Sequence, residues 1–156
     1  MTAICLAMMV DQGLLQYNDK ISSHWPEYAT NDSDKADTTI ADLMRHEAGL
    51  AAFDTSINPS DVQIEAIKDN AVGAIIEKQT MHFPTTGRRQ YHAVTRGWVA
   101  NEVFRRVHPL GLTMGEFISA NINTTLDARV FIGCDDPNYC PVKVRTNYTF
   151  IHWDQI

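Results

Sequence analysis

The segment Thr38-Thr39-Ile40-Ala41-Asp42-Leu43-Met44-Arg45-His46-Glu47-Ala48-Gly49-Leu50 carries both a helix start and a helix stop. Thr39 stands at an N-cap and Asp42 at the third helical position, so a hydroxyl and a carboxylate can satisfy the free amides of the first turn. The spacing predicts a short helix over Ile40 to His46, ended near Gly49. His46-Glu47 begins like the metalloprotease pattern H-E-x-x-H, but Leu50 stands where the second ligand would be, so no zinc site is expected here. The six histidines are spread singly along the chain, and no metal or other cofactor is predicted. His46 reads as a structural residue that holds the turn after its helix.

Working outward toward the N-terminus, Met1, Ile4, Cys5, Met8 and Met9 recur at helical spacing, and Gly13 suits a left-handed stop. Asn18 to Asp37 is rich in Asn, Asp and Ser around Trp25-Pro26, and predicts a long loop with at most one helical turn. In the other direction, Ser60-Asp61-Val62-Gln63 reads as a capping box opening a longer helix, with Val62, Ile67, Ala71, Ala74 and Ile75 on one stripe. Pro84 and Gly87 break that pattern. A helix over Ala93 to Val107 comes next, with Val94, Trp98, Val103, Phe104 and Val107 on or near one face and Arg96, Glu102 and Arg105 available to solvent. Thr113 and Glu116 form a second capping box, opening a helix to about Asn123, and Val142 to Trp153 alternates weakly like a strand.

Composition narrows the function classes. The 156 residues suit one domain, and 44% apolar content is ordinary for a globular chain. Thirteen Lys and Arg against 19 Asp and Glu leave a net charge of −6, and no basic run exceeds a pair, which argues against nucleic-acid binding. No apolar stretch approaches the ~18 to 20 residues of a membrane-spanning helix. Cys134 and Cys140 could pair across a short loop in an oxidising compartment, and Cys5 stands apart. Glycosylation sequons begin at Asn31, Asn123 and Asn147, which do not by themselves establish secretion. No phosphate-binding loop, dinucleotide fingerprint or G-x-S-x-G elbow is present.

Three motifs in order carry a resemblance. T-A-I-C-L-A-M-M-V-D-Q-G-L-L (Thr2 to Leu15), H-W-P-E-Y (His24 to Tyr28) and T-T-I-A-D-L-M-R-H-E-A-G-L (Thr38 to Leu50) look like the serine β-lactamase-related family. That family includes class C β-lactamases, D-alanyl-D-alanine carboxypeptidases, family VIII-type esterases and animal β-lactamase-like proteins. The third motif matches its L-L-x-H-x-x-G-L pattern at Leu43, Met44, His46, Gly49 and Leu50. Y-H-A-V-T-R-G-W (Tyr91 to Trp98) resembles its second catalytic motif and the helix behind it, and Gly111 to Gly133 resembles the family's segment after that helix. The likeness runs from Thr2 to Gly133.

The resemblance implies a mainly α fragment: the helical lobe of the α+β serine β-lactamase and penicillin-binding-protein transpeptidase-like fold, with most of the antiparallel sheet missing. Residues 1–133 would be this partial domain and 134–156 an unassigned tail. The implied chemistry is acyl transfer to a Ser that stands one helical turn from a Lys in S-x-x-K, acting on an ester, amide or β-lactam-like bond of a small-molecule acyl substrate. Tyr91 matches the tyrosine of the family's Y-x-N motif, where a phenol acts as general base or proton relay. His92, beside it, is a candidate substrate contact.

The chain departs from the pattern in three places: it has no S-x-x-K, Ala93 replaces the Asn of Y-x-N, and K-T-G or H-x-G is absent. By family order the missing Ser and Lys would precede Met1, so the chain alone is expected to be inactive and, without its sheet, marginally stable. The alternative is a non-catalytic scaffold or binding protein, with oligomerisation open and an exposed apolar patch where a sheet would pack.

Overall fold

The computed structural model describes residues 1–85 and 88–133. The possible Cys134 to Cys140 bridge, the third sequon and the tail strand lie outside the described residues. Among the described residues the regular structure is helical, and the only ladder pairing is an isolated antiparallel bridge between Lys20 and Thr39.

Helix α6 (Thr95–Val107) is the axis about which the rest is arranged. Its Val99, Ala100, Val103 and Phe104 are wholly buried, each large apolar side chain contributing roughly 1.5 to 3 kcal/mol. Helix α1 (Thr2–Asp11) packs against it through Cys5, Leu6 and Met9. The buried stripe of α1 thus differs from the one expected, because Met1 and Ile4 are exposed while Leu6 turns inward. Gly13, at φ +71, reverses the chain after α1 as anticipated.

The segment expected to be a long loop contains three short helical turns: α2 (Ile21–His24) and 3₁₀ turns at Pro26–Ala29 and Ser33–Asp37. Ile21, Trp25, Tyr28 and Lys35 are all fully buried there. Polar composition concealed these anchors because each sits singly among Asn, Asp and Ser. Lys35 is buried because its ammonium donates to the carbonyls of Ile76 and Gln79 at 2.8 and 3.0 Å, capping the end of a neighbouring helix.

Helix α3 (Ile40–Met44) has the predicted capping box between Thr39 and Asp42, but ends two residues early, at Met44. The capping box predicted at Ser60 does not form. Asp61 instead turns back to accept the Asn58 N–H at 2.8 Å, a local bond that competes with helix initiation. Helix α4 (Ile64–Lys68) therefore starts later, and Asn70, left-handed at φ 73, separates it from α5 (Ala71–Lys78). The side-chain oxygen of Asn70 accepts from Arg105 and Arg106 of α6, at 3.0 and 2.6 Å, which holds the break in place.

The expectation that Glu102 faces solvent is wrong. It is fully buried, with Arg105 at 2.7 Å and Arg106 wrapped around the same carboxylate oxygen, while Arg106 also lies 4.0 Å over the Trp25 ring. A carboxylate on this face was readable only with the two arginines of the following turn in view. The Thr113 and Glu116 capping box opens α7 (Met114–Phe117), a wide π turn continues over Ile118–Asn123, and α8 (Thr124–Leu126) completes the series. Asn101 Oδ1 accepts the Met114 N–H at 2.9 Å, tying α7 to α6.

Candidate active site

The turn after α3 meets the approach to α6 at His46 and Tyr91. His46 adopts φ +65, a left-handed conformation that turns the chain out of α3, and Gly49 does the same at φ +72. The loop from His46 to Leu50 is then held between two other segments. His82 N–H donates to Gly49 O at 2.9 Å on one side. On the other, Gln90 N–H donates to His46 O at 3.1 Å, and the His92 backbone N–H donates to His46 Nδ1 at 2.9 Å.

Leu50, fully buried, has both backbone groups satisfied by the same approach: its N–H donates to His92 Nε2 at 3.1 Å and its carbonyl accepts from the Thr95 hydroxyl. His92 Nδ1 lies 2.5 Å from Gln90 O, so a neutral His92 with its proton on Nδ1 satisfies both neighbours at once. The His92 ring is 1% exposed. Burial above all, and then the charge of Arg96, keep this imidazole below its ordinary pKa despite the Gln90 carbonyl.

Tyr91 lies instead at the surface. It is 70% exposed, and its ring rests 4.9 Å from the His46 ring, centroid to centroid, at 48°. Arg96 Nη1 approaches His46 Nε2 at 3.1 Å. Burial, followed by the charges of Arg96, His92 and Arg89, holds the His46 imidazole below its usual pKa as well. Arg89 is itself drawn to Glu47 at 2.7 Å, where Arg45 also binds at 2.7 Å.

A cavity of about 660 Å³ lies along the start of α6. Thr2 at the start of α1 and Val94, Gly97 and Trp98 around the start of α6 share its wall, with Ile64 and Ile132 among the apolar residues opposite. Val94, Ile64 and Ile132 are exposed at 60%, 37% and 40%. Among the described residues no cluster of three or more His, Cys, Asp or Glu could hold a metal ion, and no helix is long and apolar enough to cross a membrane.

Tyr91 and His92, the two residues singled out from the sequence, both stand beside the His46 ring, at 4.9 and 5.7 Å between centroids, but Tyr91 is exposed and His92 buried. The sequence reading assigned His46 to its own turn and did not foresee its contact with Tyr91, nor the approach of Arg96. The signal available was the pairing of two motifs separated by some forty residues, which a linear reading treats one at a time.

A family model described as Beta-lactamase matches residues 1–131. The chain is 29% identical over 107 residues to the esterase/beta-lactamase LipL of Mycobacterium tuberculosis, an overlap of 69% of this chain and 23% of LipL. Among solved structures, it is similar to a novel penicillin-binding protein homolog from Caulobacter crescentus, with a TM-score of 0.73, 31% identity, and coverage of 88% of this chain and 35% of the other. It is also similar to a family VIII carboxylesterase, with a TM-score of 0.65, 28% identity, and coverage of 76% and 31%. The chain spans about a quarter to a third of the length of these relatives.

Proposed function

Because the chain belongs to the β-lactamase family, we propose that residues 1–133 form the helical lobe of an α+β serine hydrolase domain whose catalytic phenol is Tyr91. The antiparallel sheet, the nucleophilic Ser and its Lys would come from parts of that domain outside this sequence. The observation that carries the reading is the shared wall of Thr2, Val94, Gly97 and Trp98. A Ser-x-x-Lys ahead of α1 would continue from Thr2 on this wall, and Tyr91 precedes Val94 of the same wall in sequence, which supports a single site. The exposed apolar residues Ile64, Val94 and Ile132 around that cavity support a face made to be covered.

In the proposed reaction the Ser oxygen attacks the substrate carbonyl and its proton passes to the Lys and Tyr91 pair. The tetrahedral intermediate collapses to an acyl-enzyme, and the leaving alcohol takes up a proton from the same relay. Water then attacks the acyl carbon, and Ser is regenerated. His92, expected as a substrate contact, is buried with its ring committed to Gln90 and Leu50, so it would support the backbone behind Tyr91 and not touch substrate itself. An ester is the favoured bond: Ala93 offers no side-chain amide where the family's Asn would meet a β-lactam or peptide, and two of the similar proteins are described as an esterase and a carboxylesterase.

The test is hydrolysis of 4-nitrophenyl butyrate and of a chromogenic cephalosporin by the endogenous gene product, with peptide mapping and intact mass of the same sample. Peptides bearing Ser-x-x-Lys ahead of Thr2, with ester turnover that Tyr91→Phe lowers ~10²- to 10⁴-fold, support the reading. A product of this sequence alone, inert toward both substrates and self-associating in sedimentation velocity, would replace it with the scaffold reading.

A further inference from the structure

His46 engages the backbone on both sides of Tyr91. Its carbonyl takes the Gln90 N–H and its Nδ1 takes the His92 N–H, so the residue before Tyr91 and the residue after it are tied to the same residue. The His46 ring also lies against the Tyr91 ring, 4.9 Å between centroids and tilted by 48°. Tyr91 is mostly exposed, and a side chain that exposed samples several rotamers unless something fixes its base and one face. We propose that His46 is a positioning residue for Tyr91, and that it acts only as the neutral imidazole.

The neutrality requirement comes from counting lone pairs. A neutral imidazole has one, and two donors face its two nitrogens: the His92 N–H at 2.9 Å and Arg96 Nη1 at 3.1 Å. A protonated ring has none, so the His92 N–H would lose the acceptor that the neutral ring gives it at Nδ1, and a third cation would join Arg96 and Arg89. The titratable and charged groups that face His46 are Arg96 from α6, Arg89 and His92 from the segment leading into α6, and Glu47 with Arg45 on its own turn. Glu47 is already shared by Arg45 and Arg89, and so does little to favour an imidazolium. The inference rests on the reading of Tyr91 as the catalytic phenol, but the clamp itself can be observed without activity.

The experiment is NMR on the ¹⁵N-labelled 156-residue chain. A through-hydrogen-bond coupling between the His92 amide nitrogen and His46 Nδ1 is expected near neutral pH, and it should vanish on acidification as His92 amide protection falls. His46→Asn keeps a side-chain acceptor and tolerates the left-handed backbone, so it should retain His92 protection and lose its pH dependence. His46→Gly relieves the backbone but has no acceptor. It should raise His92 amide exchange about tenfold while Gln90, bound to the residue-46 carbonyl, stays protected. No coupling at neutral pH, or equal His92 protection in wild type and His46→Gly, would overturn the clamp. In a form of the protein that hydrolyses ester, His46→Gly should lower kcat about tenfold with KM unchanged, and His46→Asn should restore it. Full activity of Tyr91→Phe alongside an intact coupling would instead overturn the role of Tyr91 and leave the clamp standing.

Discussion

The ring of His46 lies 4.9 Å from the ring of Tyr91, and His46 also accepts the amide protons of the residues immediately before and after it. A left-handed non-glycine residue, at φ +65, is thereby placed where two segments distant in sequence close on one another. Such a conformation costs roughly 1 to 2 kcal/mol, and the hydrogen bonds converging on His46 offset it.

Acid should weaken this region. The pKa of both His46 and His92 is lowered, chiefly by burial. Between the lowered folded values and the ordinary value of 6.5, the unfolded chain binds more protons than the folded one. The stabilisation is therefore complete above about pH 6.5 and is lost as pH falls toward the folded values. Melting temperatures should decline from about pH 7 to about pH 5, and the decline should be shallower in His46→Asn.

Tyr91→Phe should separate chemistry from stability. An exposed phenol contributes little to folding, so urea unfolding should shift by less than about 0.5 kcal/mol. Any acyl-transfer activity should fall ~10²- to 10⁴-fold. A large loss of stability would mean that the hydroxyl has a structural partner instead.

Gly49 and Gly13 offer a matched comparison, at φ +72 and +71. A Cβ at Gly49 would overlap the Phe83 carbonyl and lie 2.5 Å from Met81 Cε, whereas at Gly13 it meets open space. Gly13→Ala should cost about 1 kcal/mol, from backbone strain alone. Gly49→Ala should cost about 3 kcal/mol or more, because the segment from Met81 to Phe83 must move as well. Equal destabilisation of the two in urea titrations would argue against the close packing around residue 49.

Alkaline pH tests the buried lysine. Burial pushes the Lys35 ammonium down to about 8, although Asp32 and Glu77 favour its charge. From about pH 8 toward its ordinary value, the unfolded chain holds the proton more tightly, so this group makes the fold more stable as pH rises. Burial moves the Tyr28 phenol the opposite way, well above its ordinary value of 10, and the unfolded chain gives up this proton first, so stability is lost as pH climbs past 10. Urea midpoints of the wild type should rise from about pH 8 to about pH 10 relative to those of Lys35→Met, then level off.

The network around Glu102 should be sensitive to loss of that carboxylate, because Glu77, the other acid in it, reaches only Arg106 of the two arginines, at 3.6 Å. Glu102→Gln leaves Arg105 and Arg106, both largely buried, without a counter-charge on α6, and should cost about 3 to 5 kcal/mol. Replacing Arg105 by Lys should cost less, because Asn70 and Arg106 remain paired.

Two capping boxes, at Thr39 and Thr113, and the left-handed stop at Gly13 were legible because each depends on residues within a few positions of one another. The same holds for family membership, which rests on motifs in order along the chain. Local pattern misled where a distant partner intervened. Asn70 broke an expected continuous helix because its oxygen binds Arg105 and Arg106, and Glu102 was drawn inside by those same arginines.

The starts of α3 and α7, the reversal at Gly13, the order of the family motifs and the position of Tyr91 within one of them are all local properties of the sequence. What surrounds Tyr91 is a property of the folded chain. The hydrogen bonds of His46 to residues 90 and 92 and the approach of Arg96 cross more than forty positions, and the cavity wall joins Thr2 to Val94. Helix caps and turns are set by neighbouring φ and ψ angles and short-range bonds, which composition and spacing encode directly. Contacts of long sequence separation form only when packing against α6 closes the intervening loops, so they depend on the whole fold at once.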